Sequence, residues 1–268
     1  MPLSLIATEC DRGSSLPLAY AVLAGQSAHR SVARPLPALP VGTELCETEE
    51  AVFKVTGRGL FPASQEPHAL ECPFLTALRP VREGERLSLS SRRTGRSLAW
   101  ITMSDKGFAG LREDKSGPLI AEMVAQKLPL CHAQGFLLPD EERMLRALFI
   151  ELALMQGYDI VIATGGTGLA PRDRSPEAAL SVIERRLPGF EQTMMADSLQ
   201  KTPTAAISRA VAGTLGRSIL VCLPGSRKAV AENLTAILPA LEHALDKLQG
   251  DTGDCGGVFN NRNTADVR

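Results

Sequence analysis

From Leu98 onward, short apolar runs alternate with helix-patterned segments, and this alternation restricts the possible folds more than any other feature of the chain. Leu98–Met103, Phe136–Leu138, Asp159–Ala163 and Ser218–Cys222 are strand-like. Pro118 opens a helix to about Lys127, since proline at the first helical position sacrifices no hydrogen bond. Asp140 is placed as the N-cap of a helix to about Gln156, with Met144, Leu145, Leu148 and Leu152 on one face. Ser175 is placed as the N-cap of a helix to about Arg186. A long final helix carries Val230, Leu234, Ile237, Leu241, Leu245 and Leu248 in register. Repeated strand–helix–strand units require crossover connections, so the expected fold is α/β: three layers, α/β/α, around a mainly parallel sheet. In such a sheet, ligands sit at the carboxyl ends of the strands.

Residues 1–95 have a different texture and are expected to form a small β-rich domain ahead of the domain at 98–249, with a flexible tail at 250–268. Arg34-Pro-Leu-Pro-Ala-Leu-Pro40 forms a stiff extended connector, because each proline fixes φ and disfavours helix in the residue before it. Ala51–Val55 and Arg86–Ser90 are strand-like, and Ser90–Arg96 is polar enough to be a linker.

Composition narrows the function. With 30 acidic and 29 basic residues the net charge is −1, which argues against a general nucleic-acid partner. No apolar run approaches the ~20 residues that span a bilayer, so no membrane association is expected. Leu16 to Gly25 has the length of an export-signal core, but Glu9, Asp11 and Arg12 precede it where positive charge belongs. The six cysteines (Cys10, Cys46, Cys72, Cys131, Cys222 and Cys255) contain no C-x-x-C and are expected to be reduced, which points to the cytoplasm. The four histidines lack metal spacing, and no G-x-S-x-G or H-E-x-x-H occurs.

Thr164-Gly-Gly-Thr-Gly168 follows a strand, and its glycines allow backbone N–H groups to converge on an anion. The Thr164 and Thr167 hydroxyls would add donors, although a tight turn also explains Gly165, Gly166 and Gly168. Asp173, between Arg172 and Arg174, could hold magnesium beside a substrate phosphate, or simply cap a turn. Leu223-Pro224-Gly225-Ser226 leads into the long helix, whose free N–H groups suit an anion, and Ser226 also suits an N-cap. Ser104 and Asp105 open a long polar loop at the same edge, where Asp105 could bind a polar heterocycle. Asp114, later in that loop, could contact substrate or stabilise the loop itself.

Taken in order, Thr102-Met-Ser-Asp-Lys-Gly107, Asp114–Gly117, Leu138-Pro-Asp-Glu141, Thr164–Gly168, Arg172-Asp173, Ser175-Pro-Glu-Ala178, Leu187-Pro-Gly-Phe190, Ser208-Arg209 and Leu223–Ser226 resemble the molybdopterin-binding domain of molybdenum cofactor biosynthesis. The pattern is most similar to the molybdopterin adenylyltransferase family, which transfers AMP from ATP to molybdopterin and releases pyrophosphate. That resemblance implies an enzyme with Asp140 and Asp173 as catalytic, Mg²⁺-holding carboxylates, and with ATP and molybdopterin as substrates. It also implies a homo-oligomer, with a trimer favoured, and contact with a molybdate-insertion protein. A carrier or scaffold that binds molybdopterin without turnover is the alternative, because a fold can outlive its activity. Leu39–Thr43, Ala51–Thr56 and Val81–Leu87 more faintly resemble a MOSC domain, a β-barrel for which this segment is short.

Overall fold

Leu3, Leu5, Leu87 and Leu89 are buried, while the residues between them face outward; this two-residue period gives each strand one inner face. A computed structural model describes residues 2–23, 25–32, 36–64 and 67–252. In it β1 (Leu3–Ile6), β2 (Ser15–Ala19), β3 (His29–Ser31), β4 (Glu44–Glu47), β5 (Glu50–Phe61), β6 (Leu70–Ala77) and β7 (Arg86–Arg92) close a barrel in the order β1-β3-β2-β6-β5-β4-β7. The segment suffices for closure because its first four strands are only three to five residues long. Leu18, Leu45, Phe53, Val55 and Leu75 fill the interior.

The second unit is a six-stranded sheet of β8 (Arg96–Met103), β9 (Leu130–Leu138), β10 (Ile160–Thr164), β11 (Arg185–Arg186), β12 (Val211–Leu215) and β13 (Ser218–Leu223), ordered β11-β12-β13-β10-β8-β9. β13, β10, β8 and β9 are mutually parallel, and β12 and β11 add antiparallel strands at one edge. Six helices surround it: α1 (Asp105–Phe108), α2 (Gly117–Ala125), α3 (Glu142–Ile150), α4 (Ser175–Leu180), α5 (Pro188–Lys201) and α6 (Arg227–Leu248). Ala99, Ile101, Val161 and Ala163 pack on one side with Leu145 and Phe149 of α3. Leu98, Ile160 and Ile162 pack on the other with α2, α5 and α6. The sheet is therefore covered on both faces, giving three layers.

Several local expectations are corrected. Ser90–Arg92 is no linker; it continues β7 and pairs with Glu44–Cys46. The joint is fixed as well as short. Arg93 donates to Asp159 at 2.6 and 3.3 Å and to the Val41 carbonyl at 3.2 Å, and Gln156 bonds both the N–H and C=O of Arg58. The strand expected at Phe136–Leu138 runs from Leu130, hidden in sequence by the polar residues of a sheet edge. The helix cap is Glu141, not Asp140, and after Ile150 the helix widens into a π-helical turn, Glu151–Gln156. Met144, expected on the apolar face, is exposed. Ser175 lies inside α4, which Arg174 caps and which stops at Leu180 because Arg185–Arg186 joins the sheet. In the proline connector, residues 33–35 lie outside the described residues, as do 253–268 of the tail, Cys255 included. The other five cysteines are free, and burial pushes Cys72 up to about 11 and Cys222 up to about 12.

Candidate functional site

The parallel strands β8, β10 and β13 all end at one edge of the sheet, and the loops that leave them form two adjoining clefts. One, of about 880 Å³, is lined by Ser104, Asp105, Asp114, Asp140, Thr164, Gly165, Gly166, Asp173, Gly225 and Ser226, among others. The second, of about 490 Å³, is lined by Thr167, Gly168 and Pro224, together with Gly166, Asp173, Gly225 and Ser226. Every residue singled out for chemistry in the sequence thus borders one cleft or the other, and Asp173 borders both. None of the described barrel residues lines either, because the barrel meets the opposite edge of the sheet, where Arg93 and Asp159 lie.

The glycine loop forms the floor. Gly165 has φ +102° and Gly166 φ +64°, regions that disfavour a side chain. A Cβ on Gly165 would stand 2.6 Å from the Met103 carbonyl, and one on Gly166 would stand 2.4 Å from Ser175 Oγ. The Thr164 hydroxyl is not available to a ligand as a donor, since it donates to the Pro224 carbonyl at 2.8 Å and ties the glycine loop to the β13 loop. Gly165 N–H likewise donates to the Leu223 carbonyl at 3.0 Å.

Three further predicted residues have structural duties. Ser104 Oγ caps α1 by accepting from Gly107 N–H at 3.1 Å, and Ser226 Oγ caps α6 by accepting from Ala229 N–H at 3.2 Å. The Asp114 carboxylate accepts from the Thr102 hydroxyl at 2.7 Å and from the N–H groups of Ser116 and Gly117 at 3.0 and 2.9 Å. Both of its oxygens are thus engaged, one by β8 and the other by its own loop, while the residue still borders the cleft.

Asp105 and Asp140 interlock. Asp105 N–H donates to the Asp140 carboxylate at 3.2 Å, and Asp140 N–H donates to the Asp105 carboxylate at 3.0 Å. Asp173 is anchored differently: its carboxylate accepts from Ala170 N–H at 2.9 Å and forms no ion pair with its arginine neighbours. The sequence reading overlooked Arg172 and Arg209 as organisers. Arg172 binds the Asp105 carboxylate, the Asp140 carbonyl (3.2 Å) and Glu141 (3.1 Å). Arg209 donates to the Gly168 carbonyl at 3.0 Å, to Glu177 at 2.5 Å and to the Asp173 carbonyl, so one side chain fixes two points of the loop and ties them to α4. Burial raises the Glu177 pKa, but the Arg209 hydrogen bond and charge outweigh it and hold the carboxyl below its usual range. Adjacency to Asp173 was a visible signal for Arg172; Arg209 had only its place in the resemblance.

No group of three or more His, Cys, Asp or Glu that could hold a metal occurs among the described residues. Asp140 and Asp173 do each keep one carboxylate oxygen without a partner among those residues. Mg²⁺ usually takes one or two protein carboxylates plus substrate phosphates and water, and that donor set fits here.

Comparison with known proteins agrees with this architecture. Residues 99–243 match a family model described as "Probable molybdopterin binding domain". A molybdenum cofactor biosynthesis bifunctional protein of Chlorobaculum tepidum is 37% identical over 153 residues, 57% of this chain and 48% of the relative, so the chain spans about half the length of that relative. A molybdopterin adenylyltransferase of Helicobacter pylori is 36% identical over 56% of this chain and 86% of its own length. Among solved structures, the molybdopterin biosynthesis enzyme MoaB of Thermus thermophilus superposes with a TM-score of 0.55 at 43% identity, covering 58% of this chain and 98% of that one. Through residues 99–243, the chain belongs to the molybdopterin-binding domain family of molybdenum cofactor biosynthesis.

Proposed function

We propose that this protein is a molybdopterin adenylyltransferase, transferring the AMP moiety of ATP to molybdopterin in a Mg²⁺-dependent reaction. The observation that carries this reading is the meeting of Asp140 and Asp173, from separate loops, at one cleft floored by the glycine loop. The names of relatives such as the Helicobacter protein support the same activity.

In the reaction, an oxygen of the molybdopterin terminal phosphate attacks the α-phosphorus of ATP. A new P–O bond forms, the bond between the α-phosphorus and the bridging oxygen breaks, and its electron pair leaves with pyrophosphate. The two adjoining clefts suit two substrates whose phosphates meet where Asp173 stands. Such reactions depend mainly on positioning and on electrostatic stabilisation of the transferring group. The loop N–H groups beyond Gly165 and the amino end of α6 favour phosphate oxygens. Asp140 and Asp173 would hold Mg²⁺, which when bound neutralises charge on the phosphates. Arg172 and Arg209 keep the loops that carry these carboxylates in place.

Anaerobic incubation with molybdopterin, ATP and Mg²⁺, following pyrophosphate and adenylylated product together, tests the proposal. Coupled, Mg²⁺-dependent appearance of both is expected. Tight molybdopterin binding without product under any divalent cation would instead identify a carrier. A homo-oligomer, a trimer in the first instance, belongs to the same proposal and is tested by light scattering. Contact with a molybdate-insertion protein is tested by co-purification. A cytoplasmic location also belongs to the proposal; among the described residues no helix is long and apolar enough to cross a membrane.

A further inference from the structure

We infer that Arg172 is a positioning residue that sets the separation of Asp140 and Asp173 across the cleft. Arg172 and Asp173 are neighbours in sequence but serve different partners. Asp173 is held within its own loop by Ala170 N–H and by Arg209 on its carbonyl. Arg172 reaches the opposite wall, where its guanidinium binds both oxygens of Asp105, the Asp140 carbonyl and Glu141. Asp105 is itself locked to Asp140 by two reciprocal backbone–carboxylate bonds. Arg172 therefore ties the segment carrying one carboxylate directly to the residues that hold the other, whereas Arg174 joins the same two segments only further out, through Glu142. Lysine, a point charge without the planar fork, cannot span these acceptors together. The Arg172 side chain is 56% exposed, so its removal is tolerable for the fold while it loosens the spacing.

The role rests on reading Asp140 and Asp173 as the carboxylates that face the substrate phosphates. Arg172→Ala and Arg172→Lys are compared with Arg174→Ala, which breaks a neighbouring bond to Glu142 at 2.9 Å but touches neither Asp105 nor Asp140. Two readouts are taken: Mn²⁺ affinity in the presence of ATP, by electron paramagnetic resonance, and kcat and KM for adenylyl transfer. Arg172→Ala should weaken Mn²⁺ binding about tenfold and raise KM for the metal–ATP complex more than it lowers kcat. Arg172→Lys should recover little of either, guanidinium ion added to the alanine variant should restore part of both, and Arg174→Ala should stay within twofold of the unmodified protein. Mn²⁺ affinity and KM unchanged within twofold in Arg172→Ala would overturn the inference, as would equal losses in Arg174→Ala. If the unmodified protein makes no product yet Arg172→Ala still weakens Mn²⁺ binding, the enzymatic reading fails and the positioning role survives.

Discussion

Replacing Asp173 with asparagine separates catalysis from folding, because the two depend on different properties of the same side chain. The structural duty of the carboxylate is to accept one hydrogen bond, from Ala170 N–H at 2.9 Å. An asparagine carbonyl of the same size can accept it, and the backbone anchors of residue 173, the Arg209 contact and its own N–H to Ala170, do not involve the side chain. Asp173→Asn should therefore cost about 0.5 kcal/mol or less. At about 2–4 °C per kcal/mol for a chain of this size, the thermal midpoint should move by only about 1–2 °C. What disappears is a full negative charge at the junction of the two clefts. Removing one preorganised electrostatic group from an active site costs about 10²–10³ in kcat, or about 2.7–4 kcal/mol. Asp173→Ala forfeits the acceptor too, which adds about 1 kcal/mol of instability. Pyrophosphate release under saturating substrates and differential scanning fluorimetry on the three proteins measure both quantities. The reasoning is refuted if Asp173→Asn keeps kcat within threefold, or if its midpoint falls as far as that of Asp173→Ala.

At the barrel joint, Asp159→Ala strands Arg93 and should cost about 3 kcal/mol, the low end for a broken buried pair because the Arg93 side chain keeps 22% exposure; thermal unfolding should show the loss while adenylyl transfer stays intact at the far edge of the sheet. Burial raises the Asp159 pKa, but the Arg93 bond and charge and Ser97 N–H outweigh it, so its folded value lies below normal. Its stabilisation is then complete above the unfolded value of ~3.9 and lost as pH falls through the lower folded value, so unmodified protein and Asp159→Asn should converge in stability below about pH 4; a gap constant down to pH 2.5 would contradict this. Gly165→Ala places a Cβ 2.6 Å from the Met103 carbonyl at φ +102° and should cost about 2 kcal/mol, whereas a midpoint within 1 °C of the original would disprove the strain. Gln156→Ala removes the bonds of 2.8 and 2.9 Å to Arg58 and should speed amide hydrogen exchange at Arg58 without altering turnover, and unchanged exchange would show that the contact does not hold the joint.

The elements legible in the sequence were those whose periodicity comes from burial. Ile160 and Ile162 face one core and Val161 and Ala163 the other, so β10 is apolar throughout, and α6 repeats its buried leucines every three to four residues. α5 escaped notice because only Met194 and Ser198 of its 14 residues are buried, which leaves no apolar stripe to detect. Most of β9 escaped because edge-strand residues such as His132 and Gln134 are polar, the first half-buried and the second exposed. The candidate site followed the same division. Glycines after a strand and carboxylates near helix starts are local features, and the sequence alone displayed them in Thr164–Gly168, Asp140 and Asp173. Their duties were decided by contacts between residues far apart in the chain. Thr164 spends its hydroxyl on a carbonyl 60 positions away, Arg172 reaches across 67 positions to Asp105, and Asp159 meets Arg93 across 66. The sequence by itself determined which chemical groups the chain carries and the α/β layering that its periodicities demand. Only the tertiary structure decided which of those groups remain free for a ligand, because a hydrogen-bonding atom is consumed by whichever partner the folded chain brings within reach.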